Sequence, residues 1–412
     1  MTEKAKRAKK IEKVKENGAE TSREIKDMRL IVVYLIGITW AIYAYSNVFF
    51  MLAPYLALKG FPSERVGILV GAFYAATTLV RPLGGWIVER VGMKRALTVS
   101  SAFCLGIAFF MFTTVSFWPL FWIRLAMGCG YGIFVVALTT YQSLVIPEET
   151  RGLAFVYITL GALACLFTVV PLTDWCLTQN HTTAFLAIPL FTASLCVALS
   201  FRLPLSPSQA TIGAGKWGTW GELYRDTPFW RTSISCALFG LCDASIVYLP
   251  SLALSMKLVP SSFVIANGLG ALAARILGRG FFNRHPRYIF AGPSLLVMAI
   301  FLCLVTTAAS NLWLFGCGLF YGVGMGYGFP AHLALAGDLA PARLRAKSSS
   351  LVHFCYDASW LVLPVLIGFG TPYVGEMGVF RFLGLFDVVS GVGVTVMWAL
   401  YAKSLAPLNP KT

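Results

Sequence analysis

Gly84-Gly85-Trp86-Ile87-Val88-Glu89-Arg90-Val91-Gly92-Met93-Lys94-Arg95 is a charged island between two long apolar runs. From Val66 to Leu83 the one charged residue is Arg81, and from Ala96 to Ile123 there is none. About 20 apolar residues, rising 1.5 Å each, cross the ~30 Å hydrocarbon core of a bilayer. The island therefore reads as a tight connection between two neighbouring membrane spans. The rest of the chain repeats the pattern. Hydrophobic residues make up 57% of the 412 and charged residues 12%, where a soluble domain carries roughly 25% charged. Mean hydropathy is +0.73. Lipid, not water, is the solvent for most of this sequence, and the expected fold is all-α and membrane-integral.

Spans are expected near 30–57, 66–88, 96–116, 119–144, 152–175, 183–201, 231–257, 262–282, 288–309, 312–337, 348–370 and 378–402. Of the 33 Lys and Arg, 27 fall in the N-terminal tail, the C-terminal tail and alternate connections. Four (Lys59, Arg65, Lys257 and Arg381) fall on the opposite side, and Arg81 and Arg124 stay at membrane depth. Basic residues accumulate on the cytoplasmic side, so both termini are expected in the cytoplasm of a multi-pass inner-membrane protein. The expected organisation is a basic tail 1–29, a six-helix bundle 30–201, a Pro- and Gly-rich linker 202–230, a second six-helix bundle 231–402 and a tail 403–412. The tail is solvated, or lies as a basic helix on anionic lipid.

Two function classes are excluded early. The net charge of +15 comes in short clusters, not as the continuous basic face a nucleic-acid groove needs. The ten cysteines lack CxxC or zinc spacing and sit mostly in apolar segments, where they act as small packing residues. No metal or other cofactor is expected. The glycines between Gly316 and Gly328 lack the Gly-Lys-Ser/Thr ending of a phosphate loop. They read as small-residue helix packing, and no ATP site is visible.

The halves echo each other at an offset of 194 residues. Arg81, Gly84 and Arg90 match Arg275, Gly278 and Arg284; Gly128, Gly130 and Gly132 match Gly322, Gly324 and Gly326; Pro147 and Arg151 match Pro341 and Arg345. Asn47 precedes Pro54 by seven residues, as Asp243 precedes Pro250. Parallel repeats about an axis along the membrane normal imply a site between the halves.

The island resembles the loop 2–3 signature of the major facilitator superfamily: a glycine (Gly85), an acid–arginine pair (Glu89, Arg90), a second glycine (Gly92) and basic residues (Lys94, Arg95). Glu89 stands where the family usually has Asp, and the second copy is eroded, with Asn283 and Pro286 at the matching positions. Pro147–Gly152, with Arg151, and Asp338 through Arg345 resemble the family's loops after spans four and ten. The resemblance implies alternating access by two rocking bundles, with Glu89, Arg90, Arg151, Asp338 and Arg345 as parts of conformational latches. Arg124, followed by small residues in span four, resembles a motif of proton-coupled exporters, although the Gly-Pro core those exporters carry in span five is missing.

Other polar residues at membrane depth are few, and such residues are functional candidates by default. Asp243 in span seven, with Tyr248 nearby, is expected to bind a proton or a cationic solute, or else to pin helix packing through hydrogen bonds. Its mate is Asn47, close to Tyr43. His353 and Asp357 share a helix face, with Tyr356 and Trp360 beside them, and His332 follows Pro330. The expected function is a proton-coupled secondary transporter of a small solute, efflux by antiport being one form. An uncoupled facilitator and a non-transporting sensor are the alternatives. No catalytic cluster suggests an enzyme. The expected partners are solute, protons and membrane lipid, without nucleic acid, and the chain is expected to act as a monomer.

Overall fold

The computed structural model describes residues 28–146, 148–204, 220–226, 229–340 and 344–405. They form ten helical elements and one longer helical run. The elements are α1 (Met28–Leu58), α2 (Ser63–Val91), α3 (Met93–Phe110), α4 (Phe117–Val145), α5 (Glu148–Thr178), α6 (Thr182–Arg202), α7 (Phe229–Val247 with Leu249–Ser255), α8 (Pro260–Leu277), α9 (Tyr288–Val305) and α10 (Asn311–Asp338). The run is Arg345–Leu405. Two further short helices are Trp220–Asp226 and Arg279–Arg284.

Among the described residues, nine helices are long and apolar enough to cross a membrane, or ten with the bent α7. Reaching the expected twelve requires α2, which carries Arg81 and charges at both ends, and a division of the 61-residue run. That division is at Gly375, which has φ 71° and ψ 164°. A Cβ placed on Gly370 would lie 3.1 Å from the Val379 side chain. Residues nine apart in a straight helix are separated by about 13.5 Å, so the chain reverses here. We label the arms α11 (345–374) and α12 (376–405).

The charged island is tighter than expected. Helix α2 runs to Val91 and α3 begins at Met93, leaving Gly92 as the whole connection, at φ 86° and ψ 142°. That conformation is open essentially to glycine alone. Gly92→Ala should therefore cost about 1–3 kcal/mol of backbone strain, seen as a lower unfolding midpoint of the purified protein. Gly106→Ala, inside α3 where a Cβ meets open space, should be neutral or mildly stabilising.

The internal repeat recurs in the packing. In the first half a Cβ on Gly128 would meet Phe73 and Ala76, and one on Gly132 would meet Thr77 and Val80. In the second half Gly322 faces Asn267, and Gly326 faces Ala271 and Ala274. Asn267, Ala271 and Ala274 are displaced by 194 residues from Phe73, Thr77 and Val80. So α2 packs on α4, and α8 on α10, in the same register. Gly130 against Cys104 is matched by Gly324 against Met298. Helices α1 and α7 also break alike, into 3₁₀ turns at Val48–Met51 and Ser245–Val247. Pro54 and Pro250 cannot donate to the carbonyls four residues earlier, and α7 bends by 46°. The linker helix is held to the second half by Leu223, buried with Phe229, Ala336, Leu344 and Val352.

The end with the α2–α3, α4–α5 and α8–α9 connections is called the basic end. At the far end the halves pack directly. The far pieces of α1 and α7 touch. A Cβ on Gly67 would approach the backbone of Pro364 and Gly368, so α2 and α11 cross closely there. On the other flank, Gly268 of α8 faces Phe167 of α5. Asp174 Oδ2 of α5 accepts a 3.0 Å bond from the Ser261 amide at the start of α8. An acid near a helix end thus becomes a cap across the two halves.

Candidate functional site

Between the halves four charged residues gather, Asp243 near the middle of α7 and Arg275 in the last turn of α8. Arg81 of α2 forms an ion pair with Asp357 of α11: its Nε meets Oδ2 and its Nη2 donates to Oδ1 at 3.2 Å. The pair joins opposite halves and is largely screened from solvent, with side chains 24% and 10% exposed. Next to Asp357 in sequence, Tyr356 turns its hydroxyl to Asp243 Oδ2 of α7. Arg275 of α8, the repeat counterpart of Arg81, lies within electrostatic reach of Asp243, Tyr356 and Tyr43. Its buried Nε has no hydrogen-bond partner among the described residues.

Aromatic rings from both halves surround this quartet. Trp360 of α11 lies 5.2 Å from Tyr74 of α2 and 6.4 Å, stacked, from Phe50 of α1. Tyr356 packs 4.7 Å from Phe329 of α10. Tyr43 of α1 is within electrostatic reach of Arg81, Arg275 and Asp357. Asp243, Asp357, Tyr43 and Trp360, expected from sequence, therefore converge with Arg81, Arg275, Tyr356 and Tyr74. The basic neighbours of Arg275 group it with the charges of a connection; it stands in the last turn of α8, within electrostatic reach of groups on α1, α7 and α11. The signal is present in the sequence, because Arg81 stands at membrane depth and Arg275 occupies the same place in the repeat.

The other candidates lie elsewhere. Arg124, 2% exposed, is held inside the first half between the rings of Phe49 at 4.4 Å and Phe73 at 4.7 Å. Its Nε donates to the Leu69 carbonyl at 3.3 Å, and its Nη1 has no hydrogen-bond partner among the described residues. The cation is met by ring faces where a carboxylate is the usual partner. Asn47 donates to Cys165 Sγ at 2.9 Å, joining α1 to α5. His332 is fully buried. Its Nδ1 lies 2.8 Å from the Gly328 carbonyl and its Nε2 3.0 Å from Ser235 Oγ. A neutral ring protonated on Nδ1 satisfies both contacts, which makes His332 a packing residue between α7 and α10. The carboxylate of Asp357 is engaged by Arg81, and the His353 ring lies edge-on to Phe329 at 6.4 Å. Tyr248 is buried beyond the break in α7.

Among the latch residues, Arg90 and Arg95 are exposed, Lys94 is half-buried and Asp338 is exposed at the end of α10. The surroundings of Gly85, Glu89, Arg151 and Arg345 lie outside what the structure describes.

The Arg81–Asp357 bond is open to a double-mutant test. Arg81→Gln or Asp357→Asn alone strands a poorly solvated charge at the seam, and the double variant removes both. Unfolding of the four proteins should give a coupling energy of about 0.5–3 kcal/mol, the double variant being less destabilised than the sum of the singles. Strict additivity would mean the pair contributes nothing to the interface.

A two-fold repeated bundle of membrane-spanning helices, with charged and aromatic residues held between its halves, defines a transporter-type membrane fold. The sequence profile of the Major Facilitator Superfamily matches residues 34–364 and 261–411, and the chain belongs to that family. Solved structures agree in fold. A POT family transporter in complex with a thioalcohol-conjugated peptide superposes with a TM-score of 0.77 at 13% identity, covering 92% of this chain and 96% of that one. A D-xylose–proton symporter gives 0.71 at 14% identity, over 90% and 97% of the two chains. A point mutant of the nucleoside transporter NupG gives 0.71 at 13% identity, over 90% and 99%. No curated protein sequence matches the chain.

Proposed function

We propose that this protein is a secondary active transporter that moves a small solute by alternating access, with the proton gradient as its driving force. The observation that carries this reading is the charged quartet shared by both halves, beneath a far end that the two halves close by direct packing. A site bounded by two bodies is opened to one side or the other when they rock. Asp243 is the coupling residue in this reading, since a buried carboxyl that exchanges a proton for another partner changes the charge of the seam. Arg81–Asp357 is the bond that such a change would loosen or tighten. The latch residues Glu89, Arg90, Arg151, Asp338 and Arg345 would act at the basic end, which we place in the cytoplasm because Lys and Arg accumulate there. The protein would work as a monomer in the inner membrane, without ATP or another cofactor.

The peptide, xylose and nucleoside carriers of similar fold are consistent with a small organic solute. The test is flux in vesicles containing the purified protein, measured with and without an imposed pH gradient. Solute movement that follows the proton gradient is expected. Flux that equilibrates solute but ignores the gradient would make the protein an uncoupled facilitator. Binding with no flux under either condition would make it a sensor on the same fold.

A further inference from the structure

The quartet has a property that narrows the solute. Two guanidinium groups and two carboxyl groups meet at the seam, and they are not used equally. Arg81 and Asp357 neutralise each other in a direct pair. Asp243 receives only the neutral Tyr356 hydroxyl as its described side-chain hydrogen bond, and Arg275 leaves its Nε without a partner among the described residues. One cation and one anion are therefore present at the same interface without a direct ion pair described between them. Burying an uncompensated charge costs several kcal/mol, so a ligand carrying net charge of either sign would leave part of this arrangement unbalanced. A ligand with one positive and one negative group balances both.

We propose that the transported solute is a zwitterion of the amino-acid or short-peptide class, its ammonium on Asp243 and its carboxylate on Arg275, with Trp360 and Tyr74 covering its apolar part. This rests on the transporter reading above. Guanidinium suits a carboxylate through its fork of donors, and the ring faces of Tyr356, Tyr74 and Trp360 suit an ammonium group or an apolar side chain. The two charged contacts come from α7 and α8 of the second half, while Phe50 and Tyr74 belong to the first. The ligand would thus be held by one half and covered by the other.

The test uses the wild-type protein in detergent against a panel of free amino acids and dipeptides, read by thermal shift and by Kd. The tightest ligand is then compared with its N-acetyl and C-terminal amide forms. Each block removes one charge-assisted bond, so each should weaken binding by about 10- to 100-fold. In Asp243→Asn the N-acetyl penalty should disappear while the amide penalty persists, and Arg275→Gln should show the reverse. Blocked forms that bind within about twofold of the parent would overturn the proposal, as would a panel without a single binder. Counterflow separates this from the broader reading. Counterflow of xylose or a nucleoside, with zwitterions silent, would overturn the solute class and leave the transporter standing. Zwitterion binding without counterflow of any solute would support the ligand class and overturn transport.

Discussion

Vesicles containing Asp243→Asn should fail to concentrate solute against a gradient, yet should still exchange labelled for unlabelled solute. Asn has nearly the shape of Asp and keeps an acceptor oxygen for the Tyr356 hydroxyl, so local packing should survive. What it loses is titration, together with the charge that would hold the solute's ammonium: the side chain stays neutral on both sides of the membrane. For one proton per solute, 100 mV of potential supplies about 2.3 kcal/mol, which corresponds to a ratio of about 50-fold at steady state. The substitution should bring that ratio to about 1, while exchange persists once solute is supplied at about 10- to 100-fold higher concentration, since the charge that holds its ammonium is lost as well. A mutant that still concentrates solute as the wild type does would remove Asp243 from the coupling step. The contrast with Arg81 and Asp357 is informative. Their variants perturb a bond between the halves, so they should shift stability and the balance of states before they touch the dependence on protons.

Much of the fold is legible in the sequence because lipid imposes simple rules. Uninterrupted apolar runs, the one-sided placement of Lys and Arg, and landmarks repeating at 194 residues are all one-dimensional signals. Element ends are less legible, since a hydropathy run does not say where hydrogen bonds stop. Span 96–116 reads too long because the residues after Phe110 continue the uncharged run, while α3 ends at Phe110. The site is legible residue by residue and not pair by pair. Asp357 reads with His353, because four residues on one helix are the nearest neighbours a sequence can offer. Its partner Arg81 is 276 residues away, a relation only packing creates. Arg275 is hidden by its basic neighbours Arg279, Arg284 and Arg287, which make a run of loop charges look uniform. Arg124 reads as a charge at membrane depth, and the sequence does not disclose that Phe49 and Phe73 enclose it.

Gly128→Ala and Gly322→Ala should be among the most damaging single-methyl changes in the protein, and about equally so. A Cβ on Gly128 would press on the Phe73 carbonyl and lie 2.9 Å from the Ala76 Cβ. One on Gly322 would press on the Asn267 carbonyl and lie 2.8 Å from its Cα. In both cases the obstacle is backbone, which cannot rotate away as a side chain can, so the helices must separate. In a membrane that separation is costly, because helix association rests on close van der Waals packing without a hydrophobic drive. Overpacking of this kind costs about 1–3 kcal/mol, read as a fall in the unfolding midpoint in one detergent. Gly316→Ala and Gly393→Ala are the controls: both glycines are helical with open space at the Cβ position, and alanine there should be neutral or gain about 0.5–1 kcal/mol. Because the two seams lie in separate halves, the double variant Gly128→Ala/Gly322→Ala should lose the sum of the singles to within about 0.5 kcal/mol. Losses no larger than the controls would mean that the α2–α4 and α8–α10 seams are loose. A large loss at one seam alone would mean that the repeat in sequence is not matched by a repeat in packing energy.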